Sequence, residues 1–141
     1  MTIFHLLFLE TFVHGQPGMM TKAFTADELE KRLISFASAI IDLSSKLPRT
    51  PQGRHISLQV LRSGTATAAN YGEARGAESR SDFTHKLGVV LKELNETAVW
   101  LQMIQQSSLF PPDKIVALLA ENRELSRIVT ASVRTARALN K

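Results

Sequence analysis

Apolar side chains recur at steps of three and four residues along most of this chain, which is the period of an amphipathic α-helix. The first stripe consists of Leu29, Leu33, Phe36, Ile40, Leu43 and Leu47. Thr25 precedes the stripe and Glu28 follows Thr25 by three residues, which is the pattern of a capping box. Pro48 stops the pattern. These signals predict a first helix between residues 25 and 47.

A second helix is predicted from Thr50 and Pro51, which match an N-cap followed by proline at the first helical position. Its inner face carries Ile56, Val60, Thr67 and Tyr71. Gly64 lies inside this helix, in a run of small residues. Since glycine within a helix costs ~1 kcal/mol relative to alanine, we expect a neighbouring backbone to come close there. Room for a ligand is the alternative.

Two more helices complete the pattern. The third begins at Ser79, and its stripe is Phe83, Leu87, Val90, Leu91, Leu94, Leu101 and Ile104. The fourth begins at Pro112, and its inner face is Ile115, Leu118, Leu125, Ile128, Val129, Ser132, Ala136 and Leu139. Four helices of roughly 22 to 28 residues joined by short turns predict an all-α fold, an antiparallel up-down-up-down four-helix bundle.

The composition fits one soluble domain. The chain has 141 residues, of which 44% are apolar and 21% charged. It has no cysteine, which excludes disulfides and thiolate metal sites. We expect a cytoplasmic protein.

Residues 1–20 differ from the rest, and we assign them to an atypical apolar leader ahead of a bundle at residues 21–141. Residues 3–13 are mostly apolar, but this segment is shorter than the ~20 residues that span a bilayer, and it lacks a basic start. Three interpretations stay open. The start codon could be assigned too early, with Met19 or Met20 as the natural start; a short helix could dock on an apolar groove; or the segment could anchor to a membrane.

A stretch in the middle of the chain carries a family resemblance. It comprises Arg62-Ser63-Gly64-Thr65, Asn70-Tyr71, Glu73-Ala74-Arg75, Glu78-Ser79-Arg80-Ser81-Asp82-Phe83 and His85-Lys86-Leu87-Gly88. It resembles small bacterial four-helix bundle proteins, among them products of reading frames inside intervening sequences of large-subunit ribosomal RNA genes. The accessory protein of diversity-generating retroelements is a relative. The resemblance implies a bundle that assembles into a homopentamer. Gly72 departs from the family pattern, and we expect the second helix to kink or end early there.

The third helix has a second seam, which consists of Val89, Glu93, Glu96, Trp100 and Met103. At about 100° per residue these positions fall opposite Leu87 and Leu94. A tryptophan on an outer face makes an apolar patch, and such patches often meet a partner. We therefore predict an oligomer interface, and we call this set the Trp100 seam. Coverage of Trp100 by a loop or by the N-terminal segment is the alternative.

The formal net charge of +4 is concentrated near the end of the last helix. Five basic residues from the middle to the end of this helix fall within about 80° of one another on the helical wheel. They are Arg123, Arg127, Arg134, Arg137 and Lys141, which we call the basic stripe. The stripe predicts weak, non-specific binding to the phosphate backbone of RNA or DNA. A solvated face, or compensation of the helix dipole, would produce the same pattern.

A mixed-charge cluster surrounds the turn between the second and third helices. Because opposite charges alternate in it, we expect ion pairs and caps that fix this turn or a subunit contact. Its members are Arg62, Glu73, Arg75, Glu78, Arg80, Asp82, His85 and Lys86.

Catalytic signals are weak. A bundle that holds a di-metal site uses Glu-x-x-His on two helices, and no such motif occurs here. We predict no catalytic residue, metal or cofactor, and therefore no enzyme. The favoured interpretation is a self-assembling scaffold that binds RNA or DNA and does not enter membranes. The alternative is a protein-interaction module without a nucleic-acid role, such as an accessory subunit of a partner enzyme.

Overall fold

A computed structural model describes residues 24–139. They form four helices: α1 at Ala26–Lys46, α2 at Pro51–Arg75, α3 at Arg80–Gln106 and α4 at Pro112–Ala138. The described range contains no strand. The predicted leader at residues 1–20 and Lys141 both lie outside it.

The helices pack in chain order, α1 on α2, α2 on α3 and α3 on α4, and α1 meets α4 over a smaller area. Turns of only four or five residues join them, so neighbouring helices run antiparallel. The predicted all-α up-down-up-down bundle is confirmed.

The predicted helix starts are also confirmed: the first three depend on a local hydrogen bond, and the fourth has proline at its first position. Thr25 Oγ1 accepts from the backbone N–H of Glu28, and the Glu28 carboxylate accepts from the N–H of Thr25. Thr50 and Ser79 cap α2 and α3 in the same manner, each 3.1 Å from a backbone nitrogen three residues later. These bonds satisfy N–H groups that have no partner inside the helix.

The predicted inner stripes form the core, with Ile56, Leu91 and Leu118 half-buried at its margin. The prediction for Leu139 is wrong, since its side chain is 49% exposed. The helix ends at Ala138, so Leu139 follows beyond the last packed turn.

Two glycines of α2 have different surroundings. A Cβ at Gly64 would lie 2.6 Å from Ile40 Cγ2, so the predicted close approach is real, although a side chain of α1 makes it rather than a backbone. The early end predicted at Gly72 is wrong, because the helix continues to Arg75; the kink stays a prediction. Tyr71 and Ala74, fully buried on either side of Gly72, hold this last turn against the core.

Polar contacts inside the bundle fix how the helices align. Thr97 Oγ1 donates to Ser63 Oγ at 2.9 Å and joins α3 to α2. Asn122 Nδ2 donates to the carbonyl of Leu94 at 3.0 Å and joins α4 to α3. Both side chains are buried, so a shift of one helix would break these contacts between helices and would leave the Asn122 amide without this acceptor.

Candidate nucleic-acid interface and the Trp100 seam

The basic stripe lies on the outer face of α4, opposite the buried Ile128 and Ser132. Its four described members, Arg123, Arg127, Arg134 and Arg137, are all exposed. Arg127 is 3.3 Å from a carboxylate oxygen of Glu124, one turn earlier. The other three arginines make no ion pair with any residue in the range 24–139. Most of this charge is therefore not neutralised by residues 24–139.

One acidic residue of α4, Glu121, lies toward α1 instead. Glu121 accepts two hydrogen bonds from the Arg32 guanidinium, at 2.6 and 2.9 Å. These bonds, together with the charges of Glu121 and Glu124, raise the pKa of Arg32. The Glu121 carboxylate is thus engaged on the flank that faces α1.

A cavity on the outer face of α3, next to the basic stripe, has no acidic residue in its described lining. The cavity is shallow and has a volume of about 430 Å³. It is lined by Ser81, Thr84, His85, Gly88, Val89, Lys92 and Arg137. The pattern of a single helix does not predict this cavity, because Arg137 reaches it from α4 while the other lining residues belong to α3.

The helical period predicts the Trp100 seam on the face of α3 opposite the core. The structure shows it instead on the flank of α3 beside α2. Trp100 is half-buried against the core, and its Nε1 donates to Glu96 Oε1 at 3.2 Å. The His55 ring of α2 meets it edge to face, with 6.0 Å between ring centroids. The reason is that the buried positions of α3 centre on Val90 and Leu101, which turns the seam toward the neighbouring helix.

The two glutamates of the seam bind within the protomer. Arg62 of α2 contacts Glu96 directly, and its Nη1 lies 3.6 Å from Glu93 Oε2. The carboxylates therefore tie α3 to α2. Their presence on the seam is explained without a second copy of the chain.

The exposed apolar surface is offset from the predicted seam. Of the residues in the predicted seam, Met103 has an exposed side chain, at 44%. Val99, on the same helix but outside the seam, is 49% exposed. Leu58, one turn after His55 on the same side of α2, is 66% exposed. We call these three residues the apolar patch. Their apolar character outside the core stripes was the signal that could have found Val99 and Leu58.

The mixed-charge cluster makes the predicted ion pairs and caps, but they reach further than the turn between α2 and α3. Lys86 binds Glu73 at 2.7 Å across that turn. Arg75 instead reaches α1, where it binds Asp27 at 2.8 Å and also contacts Glu30. Arg80 donates to the carbonyl of Leu139 at 2.7 Å and so connects the start of α3 to the end of α4. The cluster therefore holds one end of the bundle together.

Other classes of site find little support within residues 24–139. No three His, Cys, Asp or Glu side chains come close enough there to hold a metal ion. None of the four helices is long and apolar enough to cross a membrane.

The comparison with known families identifies the chain. The model of the 23S rRNA-intervening sequence protein family matches residues 28–131. The chain belongs to this family. A solved structure of a protein of unknown function, from the S23 ribosomal protein family of Bacteroides thetaiotaomicron, is 29% identical to it with a TM-score of 0.73. The match covers 77% of this chain and 97% of that one. No curated protein matches. The resemblance stated from the central motif is confirmed.

Proposed function

We propose that this protein is a cytoplasmic, non-enzymatic helical scaffold that self-assembles and binds the phosphate backbone of RNA or DNA weakly, without reading sequence. The observation that carries the proposal is the charge separation on α4. Arg123, Arg134 and Arg137 have no acidic partner among the described residues, while Glu121 is bound on the flank that faces α1.

Exposed guanidinium groups suit this role. They keep their charge at any physiological pH, and their planar donors match phosphate oxygens. Each phosphate that they neutralise releases counterions, which makes the binding sensitive to salt. Since one protomer offers only a few such groups, copies in an oligomer would add their contacts through avidity.

Structured RNA is the ligand that we favour. The family takes its name from intervening sequences of 23S rRNA, which supports RNA as the first ligand to test. The described part of the stripe carries no aromatic side chain on which single-stranded bases could stack. Contact with backbone phosphates is therefore the mode that fits.

The test is the affinity for an RNA hairpin of arbitrary sequence at 50 and 200 mM salt. With three or four phosphate contacts, the affinity should fall roughly 20- to 150-fold between these salt concentrations. Arg127→Glu plus Arg134→Glu should abolish binding at both. The matched control is Arg49→Glu plus Arg54→Glu, which makes the same charge change at exposed positions around the α1–α2 turn. Absence of binding at low salt, or equal loss in both variants, would refute the proposal.

A second candidate function is an accessory subunit that binds a partner protein and no nucleic acid. The apolar patch favours it, because three large apolar side chains there are 44–66% exposed. Co-purification of one stoichiometric protein partner, unaffected by nuclease and lost in Leu58→Lys, would support this function instead.

A further inference from the structure

The cavity on the outer face of α3 has a chemistry of its own. Its lining includes Ser81, Thr84, His85, Gly88 and Lys92 of α3 together with Arg137 of α4, and we call it the α3 hollow. Gly88 lines the hollow, and a Cβ built on it would meet no atom within 4 Å, so the space beside it is open.

The polar groups of the hollow are hydrogen-bond donors or can act as donors. Lys92 and Arg137 supply an ammonium and a guanidinium, and Ser81, Thr84 and His85 supply hydroxyl and ring N–H groups. No carboxylate lines the hollow in the described part of the chain. Donors of this kind, two of them cationic, are what an oxyanion requires.

The two cations of the hollow differ from Lys86 of α3 in whether an acidic side chain neutralises them. Lys86, on the flank of α3 that faces α2, is neutralised by Glu73 at 2.7 Å. Lys92 and Arg137 make no ion pair with any residue between 24 and 139. Their charge is therefore available to a ligand from solution.

One hydroxyl beside the hollow lacks a partner. Thr84 Oγ1 is shielded from water and makes no hydrogen bond within the described residues. A buried hydroxyl without a partner is unfavourable, because it has lost its hydrogen bonds to water. A rotation about χ1 would let this group donate to an anion in the hollow.

We propose that the α3 hollow is a binding site for a phosphate group. Lys92 and Arg137 neutralise the phosphate, and the hydroxyl groups donate to its oxygens. Because Arg137 also belongs to the basic stripe, this inference rests on the proposed function and deepens it: one backbone phosphate of a bound RNA occupies the hollow. A free phosphate has the same oxygens and is the other source of such a ligand.

The test fills the hollow without disturbing the core. Gly88→Leu places a side chain where a Cβ has open space, and leucine is a better helix former than glycine. Gly72→Leu is the matched control, since Gly72 is also a helical glycine whose Cβ would meet no atom within 4 Å. Lys92→Gln removes one charge and keeps most of the side chain. Each full-length variant is titrated with inorganic phosphate and with the RNA hairpin.

We expect inorganic phosphate, but not sodium chloride at equal ionic strength, to shift the backbone amide NMR signals of Ser81 and Lys92. The shifts should occur in the wild-type protein and in Gly72→Leu, and should disappear in Gly88→Leu and Lys92→Gln. RNA affinity should fall roughly ten- to hundred-fold in Gly88→Leu, which corresponds to one lost charge-assisted contact, and stay constant in Gly72→Leu.

The outcomes separate the two proposals. If RNA binds wild type and Gly88→Leu equally and phosphate shifts no signal in the hollow, the phosphate site is wrong and the proposed function stands. If phosphate shifts these signals but RNA does not bind, the hollow is a site for free phosphate and the proposed function is wrong. Identical shifts with chloride, or none with either ligand, overturn the site.

Discussion

Ser108 has a left-handed backbone conformation, with φ of 53°, where α3 ends. The N–H of Leu109 donates to the carbonyl of Ile104 at 3.1 Å, and the N–H of Ser108 donates to that of Gln105 at 3.2 Å. This pair of bonds is a Schellman motif, in which glycine usually takes the left-handed position. A side chain there approaches the following carbonyl, so serine is strained.

We predict that Ser108→Gly raises the free energy of unfolding by about 0.5–1 kcal/mol, because relief of this strain exceeds the added freedom of the unfolded chain. Urea denaturation measures the change. Ser107→Gly is the control, since Ser107 has φ of −88° and gains nothing from glycine. That variant should be no more stable than wild type. A gain in both variants, or in neither, would contradict the explanation.

Between elements, the contact of α1 with α4 depends on one ion pair more than on area. These helices meet over a smaller surface than the other neighbours. Arg32 and Glu121 join them through two hydrogen bonds, and both side chains are about two-thirds buried. Such bidentate pairs have fixed geometry and are stronger than a single contact.

A double-mutant cycle with Arg32→Met and Glu121→Gln should give a coupling energy of about 1 kcal/mol, because the pair is partly shielded from water. Urea denaturation of the four proteins at low and high salt measures it. The control is Lys46 with Asp42, a more exposed pair within α1. Its coupling should be smaller and more sensitive to salt. Equal coupling in both pairs would show that α1 and α4 are held together by other contacts.

The features that sequence predicts well are those set within one helix. Thr25, Thr50 and Ser79 cap their helices through bonds to residues only three positions away, so local sequence contains the whole interaction. The inner stripes follow from the helical period. The flank that Trp100 occupies depends on where α2 lies, and the α3 hollow requires Arg137 from another helix. The hydrophobic period of a single helix does not determine such contacts between two helices.

At the scale of the whole molecule, carboxylates and cations are sorted by the helix pair that they face. Glu121 lies toward α1, and Glu93 and Glu96 bind Arg62 of α2. The cavity on the outer side of α3 and α4 is therefore lined by Lys92 and Arg137, with no acidic residue in its described lining. Val99 of the apolar patch lies on the same outer face of α3 as Lys92, two helical turns further along. None of the three patch residues belongs to α4, so we expect a contact through the patch to leave the basic stripe uncovered.

Self-association through the apolar patch is best tested at Met103. Trp100, although central to the predicted seam, is half-buried and bonded to Glu96, so its replacement would also damage the protomer. Met103→Lys should reduce the mass measured by light scattering from a multiple of 15.6 kDa to that of one chain, because a charge would have to be buried in the contact. Ile41→Lys is the control, since it adds the same charge at an exposed apolar position on α1.

The same pair of variants links assembly to RNA binding. An added lysine by itself favours binding to phosphate, so weaker binding by Met103→Lys than by Ile41→Lys can be assigned to lost avidity. A wild-type mass near 15.6 kDa at micromolar concentration would contradict self-association. In that case the few unpaired arginines of one protomer would have to provide all of the affinity, and RNA binding would be the same for Met103→Lys and Ile41→Lys.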